Sequence, residues 1–253
     1  MMQIQPQYKT GADWEKLAKR EALSYEVLEL FMPPYIGGGT QYEGCCGWYR
    51  MSGRVTSVHG AFIDVNPASG DPSFRSASQR RCRESCAIAV LIGAKNVVFH
   101  SSCFPFLRGV YLDHWADVCA DFYAGLAEEY QTNIFIENSP DIDPVPIQEL
   151  MKRISDRRIG VCLDLGHVNY SRNTAAEWFD ALGDRIGYLH LSDNNGVYDD
   201  HLPIGDGTVD WTAAHELWKT IGKDIPLTLE VGGIDGVERS LEYLRSHQFF
   251  GMR

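Results

Sequence analysis

The sequence predicts a single (β/α)₈ TIM barrel of the α/β class that extends over residues 1–253. From residue 75 onward, helix patterns alternate with short apolar strands, which is typical of a parallel sheet with helical crossovers. The chain has 253 residues, and barrels of this kind usually have about 250. Neither a linker nor a change in composition divides the chain, so we expect one domain.

The part of the chain before residue 75 has weaker patterns. We expect strands at residues 4–8, 25–31 and 55–61, with a helix at about 12–23 between the first two. We interpret residues 33–54 as a loop because they are rich in glycine and tyrosine, with glycines 37–39 forming a plain turn. These three strands would begin the barrel.

The middle of the chain repeats one unit of helix and strand. A helix at about 76–92 ends at Gly93, which can adopt the left-handed cap conformation. The strand at 96–100 follows. The next helix carries apolar residues on one face, at spacings of three and four, and leads to the strand at 133–137. These units supply the fourth and fifth strands.

Three more units complete the predicted barrel. Pro144 opens the first helix, since proline is tolerated in a first helical turn. Asn173 or Thr174 caps the second helix, and Asp210 is a plausible N-cap for the third. The strands that accompany these helices lie at residues 159–164, 186–191 and 226–231.

Charge and composition exclude several classes of protein. The net charge of −11 repels the phosphates of a nucleic acid unless a basic stripe offsets it. The one dense basic run, at residues 80–83, falls in a predicted helix, and we interpret it as a solvated helix face. No apolar run approaches the roughly 18 residues that span a membrane. We therefore expect neither a nucleic-acid partner nor a membrane segment.

The cysteines indicate the compartment. The chain has seven of them, an odd number, and no CxxC pair occurs. A disulfide framework or a zinc ribbon is therefore not expected, and the cysteines in the predicted helices and strands read as small apolar core residues. The N-terminus lacks the pattern of a secretory signal. Together these features predict a cytoplasmic protein.

Titratable side chains collect at the predicted strand ends. In a parallel barrel the C-terminal ends of all the strands meet on one face, where active sites are built. Five of the eight histidines fall at a strand end or in the loop that follows, interleaved with carboxylates. These residues are His59, His100, Glu137, Asp164, His167, His190, Asp199, His201 and Glu230.

A divalent metal accounts for this combination of residues. Buried carboxylates repel one another and lose their hydration unless a cation joins them. Imidazole and carboxylate ligands without thiolate suit manganese, zinc, cobalt or magnesium. The sequence therefore predicts a metal site at the mouth of the barrel.

Short runs around these residues resemble the xylose isomerase-like TIM-barrel superfamily over roughly residues 55–235. That superfamily includes sugar isomerases, ketose epimerases, dehydratases and endonuclease IV. The motifs are specific for the superfamily and poorly specific for the reaction. The runs are FHSS at His100, IENS at Glu137, GVCLDLGH at Asp164 and His167, HLSDN at His190, DDHLPIGDGTVDW at Asp199 and His201, and LEVGG at Glu230.

The resemblance implies a function and assigns roles. The function is a divalent-metal-dependent isomerase or epimerase that acts on a sugar, sugar phosphate or polyol-derived ketone by proton transfer through an enediolate. Glu137 and Glu230 would be the catalytic acid/base pair. The metal would be held by Glu137, Asp164, His190 and Glu230, and the substrate would be contacted by His167, His100 and His59. The resemblance also allows a homo-oligomer.

Two alternatives stay open. A dehydratase of a related hydroxy-ketone, of the inosose or dehydroshikimate type, would begin with the same removal of a proton. An endonuclease IV-like phosphodiesterase would bind further metal ions at His59, His100, His167, Asp199 and His201. Ketose epimerases carry an arginine a few residues after the seventh-strand histidine, and the run SDNNGVYDD here has none. A C3 epimerase of free ketoses is therefore disfavoured.

Overall fold

Eight parallel strands close into a barrel in the computed structural model, which describes residues 1–32, 40–222 and 224–253. The strands follow one another around the barrel in chain order, and β8 closes it by pairing with β1. The predicted fold class is confirmed. The strands are β1 Met2–Ile4, β2 Ser24–Leu28, β3 Val55–His59, β4 Asn96–His100, β5 Asn133–Glu137, β6 Ile159–Asp164, β7 Ile186–Leu191 and β8 Leu227–Leu229.

Helices connect the strands on the outside of the barrel. Several begin and end at the residues that the sequence indicates: Gly93 has a φ of 86° after α3, and Thr174 forms a capping box with Glu177 at the start of α7. Within the described residues the α-helices are α1 Gly11–Glu21, α2 Thr40–Ser52, α3 Pro72–Ile92, α4 Val110–Tyr130, α5 Val145–Arg153, α6 Leu165–Tyr170, α7 Ala175–Leu182, α8 Trp211–Thr220 and α9 Gly233–Ser246.

The N-terminal part differs from the prediction in its first strand, in its second strand, which ends at Leu28 before a 3₁₀ helix at Glu29–Phe31, and in the predicted loop. The first strand ends at Ile4, because Pro6 has no N–H with which to continue the ladder of hydrogen bonds. The predicted loop at residues 33–54 is wrong for Thr40–Ser52, which form α2. Tyr42, Cys45 and Tyr49 recur at helical spacing there and are buried. Residues 33–39, with the predicted glycine turn, lie outside the described residues.

Two layers of side chains pack against the sheet. The large apolar core lies between the strands and the surrounding helices, and all seven cysteines are buried and free. A second, small cluster fills the interior of the barrel with Val98, Phe135, Cys162 and Tyr188. The Tyr188 and His190 rings are 5.4 Å apart. The inner cluster therefore lies inside the barrel, directly below the C-terminal ends of the strands.

No helix in the described ranges is both long enough and apolar enough to cross a lipid bilayer. The helices instead bury one face each against the sheet. The expectation of no membrane-spanning helix is met within those ranges.

Gly187→Ala should destabilise the barrel through the floor of the interior. A Cβ at this position would lie 2.7 Å from the Phe135 ring, so we expect a loss of about 1–3 kcal/mol in the free energy of unfolding. Gly125→Ala is the matched control, since Gly125 is exposed in α4 and a Cβ there meets nothing within 4 Å. That change should stabilise by up to about 1 kcal/mol. Urea denaturation of both variants measures the difference, and equal effects would contradict the packing described.

Candidate metal centre

Four neighbouring strands deliver four donor side chains to one point. Glu137 and Asp164 are the last residues of β5 and β6, and His190 is paired in register with Asp164 from β7. Glu230 follows β8 directly. One ligand atom of each of the four lies within 4.8 Å of the others, and all four side chains are buried. The structure thus brings together the four residues that the resemblance implies.

The His190 ring occupies the centre of this group. Its Nδ1 lies 3.4 Å from a Glu137 oxygen, 3.4 Å from a Glu230 oxygen and 4.0 Å from an Asp164 oxygen. Among the described residues, His190 Nδ1, both Glu137 oxygens and Asp164 Oδ2 are buried without a hydrogen-bond partner. Buried polar atoms normally have one. Unpartnered carboxylate and imidazole atoms that converge in this way fit a divalent cation.

Two further histidines face Glu137 from the other side. His59 Nε2 lies 3.2 Å and His100 Nε2 lies 3.7 Å from the same Glu137 oxygen. These three residues also have the spacing of a metal-binding group. Phe62 packs against both imidazoles, with ring centroids 5.1 Å and 4.7 Å away. Glu137 is therefore shared between two groups of possible ligands.

A third group lies farther out at the mouth. Asp199 Oδ2 is 3.3 Å from His167 Nε2 and 3.1 Å from His201 Nε2, so one carboxylate oxygen joins both rings. The other nitrogen of each ring meets a backbone carbonyl, that of Asn138 for His167 and that of Glu230 for His201. All nine predicted side chains therefore gather at the mouth of the barrel, and these last three form a hydrogen-bonded unit.

Burial and charge act against each other on the pKa values of the site. Burial raises the pKa of Asp164 to about 6. Burial also works to raise the pKa of Glu230, but the charge of His190 outweighs it and lowers that pKa to about 2. Burial lowers the pKa of His100 to about 4. For His59 the Glu137 carboxylate overcomes burial and raises the pKa to about 9. The mouth is thus tightly coupled electrostatically.

Sequence reasoning missed Glu26, in the middle of β2. The side chain is fully buried, and its Oε2 lies 3.2 Å from Nε2 of His190. The only signal in the sequence is a lone carboxylate in a short strand of otherwise uncharged residues. Glu29, three residues farther on, turns away from the site to accept hydrogen bonds from Arg81 and Ser85.

Comparison with known proteins agrees with this architecture. The profile of a family described as "Xylose isomerase-like TIM barrel" matches residues 48–247. An uncharacterised protein of Methanocaldococcus jannaschii is 30% identical over 201 residues, which are 75% of this chain and 69% of that protein. A probable endonuclease 4 of Mycobacterium bovis is 24% identical over 212 residues, 78% of this chain and 81% of the other.

Solved structures extend the comparison to nearly the whole chain. A D-tagatose 3-epimerase-like protein superposes with a TM-score of 0.80 at 25% identity, covering 98% of this chain and 96% of its own. A Thermus thermophilus protein, TTHB071, soaked with ZnCl₂ gives a TM-score of 0.80 at 22% identity, with 97% and 96% covered. The second likeness is one of fold.

Asp141 is a buried carboxyl beside the mouth that the sequence also did not reveal. It lies in the loop after β5 and accepts a hydrogen bond from the Ser101 hydroxyl. Its second oxygen has no hydrogen-bond partner among the described residues. Burial raises the pKa of this carboxyl to about 7. The folded protein therefore holds a proton here that the unfolded chain releases in weak acid.

Asp141→Asn should remove a pH dependence of stability. Because the pKa is raised on folding, the wild-type free energy of unfolding should fall as the pH rises from about 4 to about 7. The variant cannot titrate, so its stability relative to wild type should increase by about 2–3 kcal/mol between pH 5 and pH 8. Urea denaturation with a chelator present measures this, and an equal difference at both pH values would contradict it.

Proposed function

The chain belongs to the xylose isomerase-like TIM-barrel family, and from that premise we propose that it is a divalent-metal-dependent isomerase or epimerase of a sugar-like carbonyl compound. The observation that carries the proposal is the convergence of Glu137, Asp164, His190 and Glu230 on one point. The likeness to a D-tagatose 3-epimerase-like protein over nearly the whole chain supports it.

Those four side chains would hold the ion. A divalent ion, when bound, supplies the positive charge that holds substrate oxygens and stabilises the negative charge developing beside a carbonyl. The donors are imidazole and carboxylate, which suit zinc, manganese, cobalt or magnesium. Zinc is the first ion to try, because it commonly binds imidazole nitrogen together with carboxylate oxygen.

Glu137 and Glu230 would move the proton. Isomerisation or epimerisation needs one group to take the proton next to the carbonyl and a group to return it. His190 Nδ1 lies 3.4 Å from an oxygen of each glutamate, so the two carboxylates border the same small volume from β5 and from the end of β8. A substrate carbon held next to that volume would lie near both carboxylates.

The histidines at the mouth would orient the substrate. His100 is partly exposed, whereas His59 and His167 are almost fully buried and already contact Glu137, so His100 would meet the substrate first. A net charge of −11 suits a small neutral substrate better than a polyanion. A dehydratase of a related hydroxy-ketone is compatible with the same first step, since it also removes a proton beside a carbonyl.

A multi-metal phosphodiesterase is the second candidate. The spacing of His59, His100 and Glu137 favours it because a second ion would fit there, as does the similarity to a probable endonuclease 4. Closely spaced ions could activate water and stabilise a leaving oxygen. The charge argues against it, since a nuclease needs a basic track for phosphates. We therefore place it below the isomerase.

Glu230→Gln should abolish turnover, because glutamine keeps the size of the side chain and cannot accept the proton. We expect a fall of about 10²–10⁴-fold with metal at saturation. The readout is exchange of the substrate's α-hydrogen in D₂O, after screening ketoses, sugar phosphates, inososes and dehydroshikimate. Glu216→Gln is the control, on an exposed pair with Lys219. Full exchange by metal-loaded Glu230→Gln would remove the acid/base pair.

Elemental analysis of the reconstituted protein should find one ion per chain. The isomerase proposal uses one centre, whereas the phosphodiesterase would bind up to three. Asp199→Asn should leave the count at one, because Asp199 would belong to the outermost site only. A count of two or three in the wild type, reduced by this variant, would favour the phosphodiesterase instead.

A further inference from the structure

We propose that Glu26 is a positioning residue that holds two ligands of the metal centre in place, His190 directly and Glu230 through Gln5. The inference rests on the proposed metal site and goes beyond it, since Glu26 itself is not one of the four donors. The carboxylate lies inside the barrel with no exposed surface. Its Oε2 contacts His190, and its Oε1 accepts a hydrogen bond from Gln5, which also contacts Glu230.

The first connection, which we call the His190 arm, joins Glu26 directly to His190. Glu26 Oε2 lies 3.2 Å from His190 Nε2, while the opposite nitrogen, Nδ1, faces Glu137 and Glu230. An imidazole that donates Nε2–H to a carboxylate keeps its Nδ1 lone pair free for a cation. The same contact sets the plane of the ring. Carboxylates in this relation to a histidine ligand raise its basicity and orient it.

The second connection, which we call the Glu230 arm, joins Glu26 to Glu230 through Gln5. The Gln5 amide nitrogen donates one hydrogen to Glu26 Oε1 at 2.9 Å and the other to Glu230 Oε1. One amide group therefore ties the two carboxylates together. Glu230 lies just beyond a strand of three residues, and this tie restrains its side chain, whose backbone is already bonded to Leu191.

The remaining contacts keep the Glu26 side chain still. The Tyr188 hydroxyl donates to Oε2, and the Thr228 hydroxyl lies 3.3 Å from the same oxygen. Tyr188 in turn accepts a hydrogen bond of 2.7 Å from the Gln3 amide. These partners come from β1, β7 and β8. The network therefore spans the strands on which the barrel closes.

Packing alone does not account for a carboxylate at this position. Its hydrogen-bond partners other than His190 are a phenol, a hydroxyl and an amide, and none of these carries a formal charge. A buried charge is costly, and neutral side chains of similar volume are often as stable or more so. A carboxylate is useful here because both arms need an acceptor. Glutamine offers only one acceptor oxygen, so one of the two arms would lose its hydrogen-bond acceptor.

The chain supplies a matched control in Glu29. It follows the last residue of the same strand directly and is nearly buried, but its oxygens accept from Arg81 and Ser85, outside the metal centre. Glu29→Gln therefore removes a nearly buried carboxylate, one that is paired with Arg81, without touching a metal ligand.

The test measures metal affinity rather than activity. Dissociation constants for Zn²⁺ are obtained by chelator competition, and the visible spectrum of the Co²⁺-loaded protein reports the geometry around the ion. We expect Glu26→Gln to weaken Zn²⁺ binding by about 10–100-fold and to change the Co²⁺ spectrum. Glu29→Gln should stay within about twofold of wild type. Wild-type affinity together with an unchanged spectrum in Glu26→Gln would overturn the assignment.

A second variant separates the two arms. Gln5→Met should weaken Zn²⁺ binding because it removes the amide that joins Glu26 to Glu230, while it leaves the contact between Glu26 and His190 in place. If Glu26→Gln fails to fold, Gln5→Met alone decides, and wild-type affinity there overturns the Glu230 arm. A wild-type protein that binds no metal would instead overturn the proposed function, which keeps the two failures distinguishable.

Discussion

Repulsion among buried carboxylates is the constraint on which the rest of the structure depends. Glu26, Glu137, Asp164 and Glu230 are all buried at the mouth of one barrel, where low polarity strengthens every interaction between charges. Imidazoles separate them: His190 lies between three of the carboxylates. Packing of the barrel interior does not need four buried carboxylates, since uncharged side chains of similar volume would fill the same space. A cation is the simplest way to hold it together.

The barrel makes this crowding possible because, in a closed parallel barrel, the C-terminal ends of all the strands lie on the same face. Eight parallel strands in chain order place residues from positions 26 to 230 around one axis. The small apolar cluster of Val98, Phe135, Cys162 and Tyr188 closes the interior from below. Buried polar atoms beneath the site must find partners within the protein, as the Tyr188 hydroxyl does with Gln3 and Glu26.

An element could be predicted where neighbouring residues in the sequence carry its pattern, and could not where it depends on residues far along the chain. Residues at strand ends, such as Glu137 and Asp164, were predictable because an apolar run stops abruptly at a charged residue. Helix α2 was not, since its buried tyrosines and cysteines are interrupted by glycines and read as a loop. Glu26 sits within a five-residue strand, and a run so short does not show which alternate residues face inward. Its role depends on partners more than 160 residues away.

The outer residues explain why family membership does not determine the reaction. Glu137 faces two sets of imidazoles at once, and either set could share an ion with it. His167, Asp199 and His201 hydrogen-bond to one another and to backbone carbonyls, so an ion there would have to displace contacts already made. At the inner site the donor atoms of His190 and Glu137 have no hydrogen bonds to give up. An ion at the inner site would therefore displace fewer existing contacts than an ion among His167, Asp199 and His201.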